Sequence, residues 1–195
     1  MVIHKETLRS RVAILIISAA LAGGLTLLAW HPGSAVSRER DTVTEYEVKA
    51  AFLMNFVKFI EWPDERAGTT GSEWVLSIVG ASPFGESLNL PRDKTIRGRK
   101  LVIKNTVDHG SIVSSHILFI PASEKDRLPA CMAAVKGLPI LTISEIAGFA
   151  RNGGMINFII IDDKIRFEIN PDAAGQVGIR ISSQLLKLAR IIKGS

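Results

Sequence analysis

Several residue types that build catalytic and metal sites are scarce in this sequence. It has one cysteine, Cys131, so no disulfide can form within the chain. Beyond residue 35 it has only His109 and His116, and a zinc site would have to bring both together with a carboxylate or Cys131. The P-loop, the three-glycine dinucleotide fingerprint and the G-x-S-x-G serine pattern are all missing. We therefore expect no catalytic residues, no bound metal and no cofactor.

The longest apolar run lies near the amino end. Residues 1–11 form a basic head, Val12–Trp30 carries no charge, and a helix-breaking HPG followed by two small residues ends at Ala35. This order is typical of a secretory signal peptide that is cleaved after Ala35. The alternative is an uncleaved inner-membrane anchor, because a helix of this length approaches the roughly 30 Å of the bilayer core. In both cases we expect the rest of the chain in the periplasm, since the basic end stays in the cytoplasm.

The remaining residues have the size and charge of one ordinary domain. The whole chain has a net charge of +5, but part of it comes from the basic head. The exported part is therefore only mildly basic, and we do not expect a nucleic-acid partner. We predict residues 36–43 as a charged tether and 44–195 as a single domain with its own core. Cys131 lies in an apolar stretch, which favours a buried small side chain; the alternative is a thiol that links two chains.

Short apolar segments bounded by turn residues predict strands, and helical patterns lie between several of them. The predicted strands are Trp74–Val79, Leu101–Lys104, Ile117–Ile120, Ile140–Ile143, Ile156–Ile161 and Ile165–Ile169. The predicted helices cover about 44–61, 83–90, 123–136, 144–150 and 180–193, with a short one after Asn170-Pro171. Asp162-Asp163 predicts a tight hairpin. We predict a three-layer α/β fold: a mostly parallel sheet flanked by helices, with an antiparallel pair near the C-terminus.

The apolar side of the first predicted helix is wider than packing against one face of a sheet requires. It begins at a capping box, Thr44 to Glu47, and Trp62-Pro63 stops it. Large apolar residues recur at helical spacing on one side: Val48, Phe52, Phe56 and Phe59. We expect most of this stripe to be core. The excess indicates a second contact, either with another chain, including a second copy in a homodimer, or with the domain's own termini.

Two loops are further candidates for binding. The loop Gly80–Gly85 follows a strand and precedes a predicted helix, so it is either a tight turn or a small-ligand site that involves Gly80, Ser82 and Gly85. A basic cluster stands just before another strand and consists of Arg97, Arg99 and Lys100. This cluster is either a solvated edge or a contact surface for an acidic partner.

A series of segments occurs together, in order, over the exported part of the chain. They are EYEVKAAFLMNFVKFIEWP (45–63), VGASPFG (79–85), IRGRKLVI (96–103), SHILFIPAS (115–123), PILTIS (139–144), FARNGGMINF (149–158), RFEINPDAA (166–174) and IRISSQLLKLA (179–189). Behind a signal peptide, this ordered set resembles the YfiR-like family of periplasmic regulatory proteins.

The resemblance implies a compact α/β domain with no known catalysis. The best understood members restrain an inner-membrane diguanylate cyclase by binding its periplasmic region, and they are themselves titrated by an outer-membrane lipoprotein. Members often carry a cysteine directly before the histidine of the SHILFI segment. Here that residue is Ser115, so we do not expect redox control through internal disulfides.

We therefore predict a periplasmic, non-enzymatic regulator of an inner-membrane signalling protein, most directly a diguanylate cyclase. Candidate partner-binding residues are expected to be exposed members of the first helix, namely Asn55, Lys58 and Trp62 at its end. They are joined by Arg97, Arg99 and Lys100 from the basic cluster. The alternative is an envelope small-ligand sensor that uses the Gly80–Gly85 loop. A hydrolase is a third hypothesis, because Ser82 is the serine that this loop would offer as a nucleophile.

Overall fold

The computed structural model describes residues 35–63, 73–88 and 95–193. Its contacts divide the chain into the units Met1–Glu39 and Arg40–Ser195, and all the described strands lie in the second unit. The predicted signal peptide, apart from Ala35, lies outside the described residues. Within the described ranges, no helix has both the length and the apolar character that crossing a bilayer requires.

Ten strands and five α-helices make up the described fold. The helices are α1 (Ala35–Phe59), α2 (His109–Val113), α3 (Leu128–Ala134), α4 (Pro171–Gln176) and α5 (Ser183–Leu186). The strands are β1 (Ile60–Glu61), β2 (Glu73–Val79), β3 (Thr95–Ile96), β4 (Arg99–Thr106), β5 (Ile117–Ile120), β6 (Leu141–Ser144), β7 (Ile156–Ile161), β8 (Lys164–Ile169), β9 (Arg180–Ile181) and β10 (Arg190–Ile191). Short 3₁₀ helices cover Gly85–Leu88 and Ala122–Arg127.

Eight of the strands form one sheet in the order β10-β8-β7-β6-β5-β2-β4-β3. The inner pairs β4–β2, β2–β5, β5–β6 and β6–β7 are parallel, whereas β7–β8 and β3–β4 are antiparallel hairpins. A separate antiparallel pair joins β1 to β9. The α/β class, the mostly parallel sheet and the antiparallel pair near the C-terminus are confirmed.

Alternate residues of the central strands supply two separate cores. In β5, Ile117 and Phe119 belong to the core under α1, whereas Leu118 and Ile120 belong to a second core with Cys131 of α3. This follows from the two-residue side-chain period of a strand. Because apolar side chains cover both faces, the strands read as nearly continuous apolar runs, and the three-layer prediction is confirmed.

The buried side of α1 is rotated from the predicted stripe. Phe56 is buried as expected, but the rest of the buried side is Lys49, Ala50, Leu53 and Val57. Phe52 and Phe59 lie at its margins, and Val48 is 39% exposed. Our assignment of Val48 to the core was therefore wrong, because the sheet contacts the side of the helix that carries Leu53 and Val57.

Helix boundaries differ from the prediction at both ends of α1. The helix begins at Ala35, before the predicted capping box, and includes the segment 36–43 that we predicted as a tether. It ends at Phe59, because Ile60 and Glu61 pair with Ile181 and Arg180 across β1 and β9. Pairing with a distant strand thus ends the helix before Trp62-Pro63 does.

Two predicted helices are wrong. Ser144 belongs to β6 and residues 147–150 form turns, since Gly148 takes a φ of +77° that interrupts a right-handed helix. In 180–193 only Ser183–Leu186 is helical, capped by the Ser182 hydroxyl, which accepts from the Leu185 N–H at 3.3 Å. The flanking residues, rich in β-branched isoleucine, pair instead as β9 and β10.

The predicted hairpin between β7 and β8 is confirmed. Asp162 and Asp163 occupy its two turn positions with φ values of +49° and +55°. Positive φ at both positions defines the type I′ turn, which matches the twist of the flanking strands. Neither residue is glycine, so both carry the cost that a Cβ atom imposes in the left-handed region.

We expect Asp163→Gly to raise the free energy of unfolding by about 1 kcal/mol, since glycine adopts a positive φ without steric cost. Urea denaturation followed by circular dichroism measures the change. Asp126→Gly, placed in the 3₁₀ helix Ala122–Arg127, is the matched control and should not stabilise. Equal effects of the two substitutions would contradict the assignment to turn geometry.

Candidate functional site

The carboxyl ends of three parallel strands meet at one edge of the sheet. Strand β5 pairs with β2 on one side and with β6 on the other. The loops that leave these strands start at Gly80, Pro121 and Glu145. In parallel α/β sheets ligands bind most often at the carboxyl ends of the strands, so a binding site is expected here.

Glu145 is the centre of a buried polar cluster at this edge. One carboxylate oxygen accepts from the Tyr46 hydroxyl and from the Ala122 N–H, each at 2.9 Å. The other accepts from the Lys49 ammonium, which also pairs with Glu45. The side chains of Lys49 and Glu145 are only 4% and 6% exposed. The cluster ties α1 to the loops after β5 and β6, and every member has a partner.

Burial and the Glu145 charge keep the Tyr46 hydroxyl protonated. Burial is the larger cause that raises the pKa of Tyr46, and the Glu145 carboxylate raises that pKa further. The Lys49 ammonium lies 4.7 Å from the centroid of the Tyr46 ring, a cation–π distance. Tyr46 therefore acts here as a hydrogen-bond donor.

A cavity of about 450 Å³ opens beside the cluster. Its lining includes Tyr46, Lys49 and Glu145, with Ala147 and Phe158. A lining that combines a few polar side chains with apolar and aromatic ones is the usual composition of a small-molecule pocket. Sequence reasoning missed these residues. Two sequence features could have indicated them: Lys49 stands on the apolar side of the first helix, and Glu145 directly follows a buried strand.

The loop Gly80–Gly85 has the geometry of a turn. The Gly80 N–H donates to the Thr106 carbonyl at 2.8 Å, and the Ser82 hydroxyl accepts from the Phe84 N–H at 3.3 Å. Gly80 has a φ of +71°, and a Cβ atom there would lie 2.1 Å from a carboxylate oxygen of Glu124. A carboxylate beside Gly80 disfavours an anion, so this arrangement favours the turn interpretation of Gly80, Ser82 and Gly85.

A cluster of aromatic rings lies where the parallel strands β2 and β5 begin, at the end of the sheet opposite to Glu145. The ring centroids of Trp62 and Trp74 lie 4.7 Å apart, and the Arg99 guanidinium lies 4.2 Å from the Trp74 ring. His116 is buried beside them, and its Nδ1 accepts from the Val75 N–H at 3.1 Å. Trp62 is only 6% exposed, so our expectation of an exposed Trp62 is corrected: it packs in the core.

The predicted basic cluster divides into structural and exposed members. Arg97 donates to the Ile60 carbonyl at 2.7 Å and holds the β3–β4 turn against the end of α1. Arg99 donates to the Glu73 carbonyl at 2.7 Å in addition to stacking on Trp74. Lys100 is exposed. Arg97 and Arg99 would have to break a hydrogen bond to a backbone carbonyl before they could contact a partner. Lys100 would not.

On α1, Asn55 and Lys58 are exposed as predicted, and the Lys58 ammonium donates to the Asn55 side chain at 2.9 Å. The Arg97 bond to Ile60 brings the β3–β4 hairpin to the same end of α1. Arg97 is also exposed but is bonded to Ile60, so the exposed candidates that remain for partner binding are Asn55, Lys58 and Lys100.

Cys131 and His116 are both core residues. Cys131 is 2% exposed, and burial raises the pKa of its thiol, which favours the interpretation as a small apolar side chain. The side chain of His109 lies outside the described part. Among the described side chains, no group of three metal-ligating residues is close enough to hold an ion.

The fold and the site define a three-layer α/β domain that presents a cavity beside a buried polar cluster and exposed charged residues. The chain belongs to the YfiR/HmsC-like family, whose family model matches residues 46–190. This family is regulatory and non-catalytic.

Among solved structures, the chain is similar to the ABC domain in complex with L-Trp from Streptococcus pneumoniae. The two are 11% identical, with a TM-score of 0.45 over 61% of this chain. The match spans 55% of the length of that solved chain. A likeness at this level carries no argument about function.

We expect Glu145→Ala to lower the free energy of unfolding by about 3 kcal/mol, because it leaves the Lys49 charge buried with one carboxylate partner fewer. The matched control is Glu61→Ala, which breaks an exposed ion pair with Arg180 and should cost less than about 1 kcal/mol. Urea denaturation of both variants measures the difference. Equal losses would show that the Glu145 cluster does not hold α1 to the sheet.

The raised pKa of Tyr46 predicts a specific loss of stability at alkaline pH. The unfolded tyrosine ionises near its ordinary value of 10.0, whereas the folded one keeps its proton to higher pH. Its contribution to stability is therefore complete below pH 10 and is lost as the pH rises above that value. We expect Tyr46→Phe to reduce the decline of the unfolding free energy above pH 10. A decline identical to that of the wild type would contradict this assignment.

Proposed function

We propose that this protein is a periplasmic regulator that binds the periplasmic region of an inner-membrane signalling protein, most directly a diguanylate cyclase. The observation that carries the proposal is membership of the YfiR/HmsC-like family over residues 46–190. The predicted signal peptide supports the location, and an outer-membrane lipoprotein is the proposed antagonist.

The proposed mechanism is conformational linkage. A protein that binds the inactive form of a receptor more tightly than the active form shifts the receptor toward inactivity. Moving a receptor from 99% active to 99% inactive needs about a 10⁴-fold difference in affinity, about 5.5 kcal/mol. With a cyclase as the receptor, the result is a lower concentration of cyclic di-GMP.

The proposed contact surface is the exposed end of α1 with the neighbouring hairpin. Asn55 and Lys58 are exposed on α1, and Lys100 is exposed where β4 begins. Arg97 holds the hairpin in place through its bond to Ile60. The exposed lysines suit an acidic partner, whereas Trp62 is buried and is not part of the proposed surface.

We expect the double variant Lys58→Glu/Lys100→Glu to reduce capture of the signalling protein at least tenfold. The bait is the purified full chain, and the target is the proposed inner-membrane diguanylate cyclase, expressed in a membrane extract. Lys136→Glu, an exposed lysine after α3, is the matched control.

Three measurements separate the alternatives. If the double variant still captures the signalling protein as well as the wild type does, this surface is not the contact surface. Failure of the wild type to lower cyclic di-GMP in cells that express the cyclase contradicts the regulatory role. A molecular mass measured in solution tests the homodimer that the apolar excess on α1 predicts.

A second candidate function is an envelope sensor for a small ligand. The cavity of about 450 Å³ beside Tyr46 and Glu145 favours it. Titration calorimetry against envelope metabolites and nucleotides tests it, with Tyr46→Phe as the variant that removes one polar group of the cavity.

A further inference from the structure

The outer edge of strand β8 is only partly covered. Strand β10 pairs with β8 at Glu168 and Ile169, where Arg190 forms an ion pair with the Glu168 carboxylate. Within the described ranges, no strand pairs with the outer edge of β8 from Lys164 to Phe167. The open stretch lies next to the tip of the β7–β8 hairpin.

The backbone of Ile165 is available for pairing on this edge. Ile161 and Lys164 flank the two-residue turn, so they form a hydrogen-bonded pair across the hairpin. Antiparallel pairs alternate along a ladder, so the N–H and C=O of the next residue, Ile165, are directed away from β7. No described residue forms a backbone hydrogen bond with them.

A groove of about 800 Å³ runs between this edge and α1. Its apolar lining consists of Val48, Phe52, Ile160 and Ile165. Ile160 is 58% exposed and Val48 is 39% exposed, which is unusual for large apolar residues placed side by side. A strand added to β8 would direct alternate side chains into this groove, as in peptide recognition by strand addition.

The charges beside the edge select the partner. Lys164 and Arg166 are exposed and alternate with Ile165 along β8, so their side chains leave the opposite face of the strand. Both residues also line the groove, as do the acidic Asp163 and Glu45, of which Glu45 pairs with Lys49. Neither forms an ion pair within the described part of the chain. A second copy added antiparallel around Ile165 would place Lys164 opposite Arg166, and like charges directly opposite destabilise a sheet. The edge therefore suits a segment whose acidic residues flank an apolar one.

We propose that the open edge of β8 binds an extended segment of the regulated partner, with an acidic–apolar–acidic pattern. The apolar side chain enters the groove between α1 and Ile160, and the acidic side chains face Lys164 and Arg166. Ile165 supplies the backbone hydrogen bonds. The proposal rests on the proposed function only in assigning the segment to the signalling partner.

The test uses the full chain and two capped seven-residue peptides, one alternating Glu with Val and one alternating Lys with Val. We expect the wild type to bind the acidic peptide at least tenfold more tightly than the basic one. Binding of the acidic peptide should slow amide hydrogen exchange at Ile165. The variant Lys164→Glu/Arg166→Glu should reverse the preference, whereas the control Lys104→Glu/Lys136→Glu, with both lysines exposed elsewhere, should keep it.

Equal binding of the two peptides, or unchanged exchange at Ile165, overturns the proposal. Lys164 and Arg166 would then serve only to keep the edge from aggregating. Protection of Ile165 without peptide, together with a doubled mass in solution, also overturns it, because a second copy then fills the edge. A thermal unfolding scan shows that each variant is folded.

The peptide measurements do not depend on the signalling protein, so they separate the two proposals. A wild type that binds the acidic peptide but does not capture or inhibit the signalling protein overturns the proposed function alone. Undiminished capture by Lys164→Glu/Arg166→Glu overturns the assignment of the segment to that partner.

Discussion

The arrangement of this domain depends on the buried carboxylate of Glu145. Its oxygens bind the Lys49 ammonium, the Tyr46 hydroxyl and the Ala122 N–H, and so join α1, the loop after β5 and the loop after β6 at one point. Burying two charges is unfavourable unless both are paired and hydrogen-bonded. Here both are paired. The long helix is therefore held in one position over the sheet, and the surfaces on either side of it acquire fixed shapes.

Two surfaces flank α1 as a result. At its carboxyl end, the Arg97 bond to Ile60 and the contacts among Trp62, Trp74 and Arg99 fix the β3–β4 hairpin. Nearer its amino end, the helix and β8 enclose the apolar groove beside Ile160. Both surfaces combine exposed cations with a rigid backbone. That combination suits a regulator that recognises partners by shape and charge, and it accords with the YfiR/HmsC-like family.

Local patterns predicted much of the fold, and the failures have physical causes. The apolar strands and the Asp162-Asp163 turn were predictable because burial on both faces and turn geometry act on neighbouring residues. The helix over 180–193 failed because its isoleucines pair with Ile60 and Ile169, which are distant in sequence. The Glu145 cluster could not be predicted for the same reason, because Lys49 and Glu145 are 96 residues apart in the sequence and meet only in the folded chain. Trp62 was predicted as exposed because its position at a helix end gives no sign of Trp74 beside it.

The sequence by itself determined the α/β class, the order of the central strands along the chain and the family, because these depend on side-chain periodicity and on residues close together. Only the tertiary structure decided which side of α1 is buried, which cations remain free and which strand edge stays open. Each of those outcomes depends on the packing of segments that are far apart in the chain. Local sequence patterns cannot predict these contacts, because their free energy depends on residues that come together only in the folded chain.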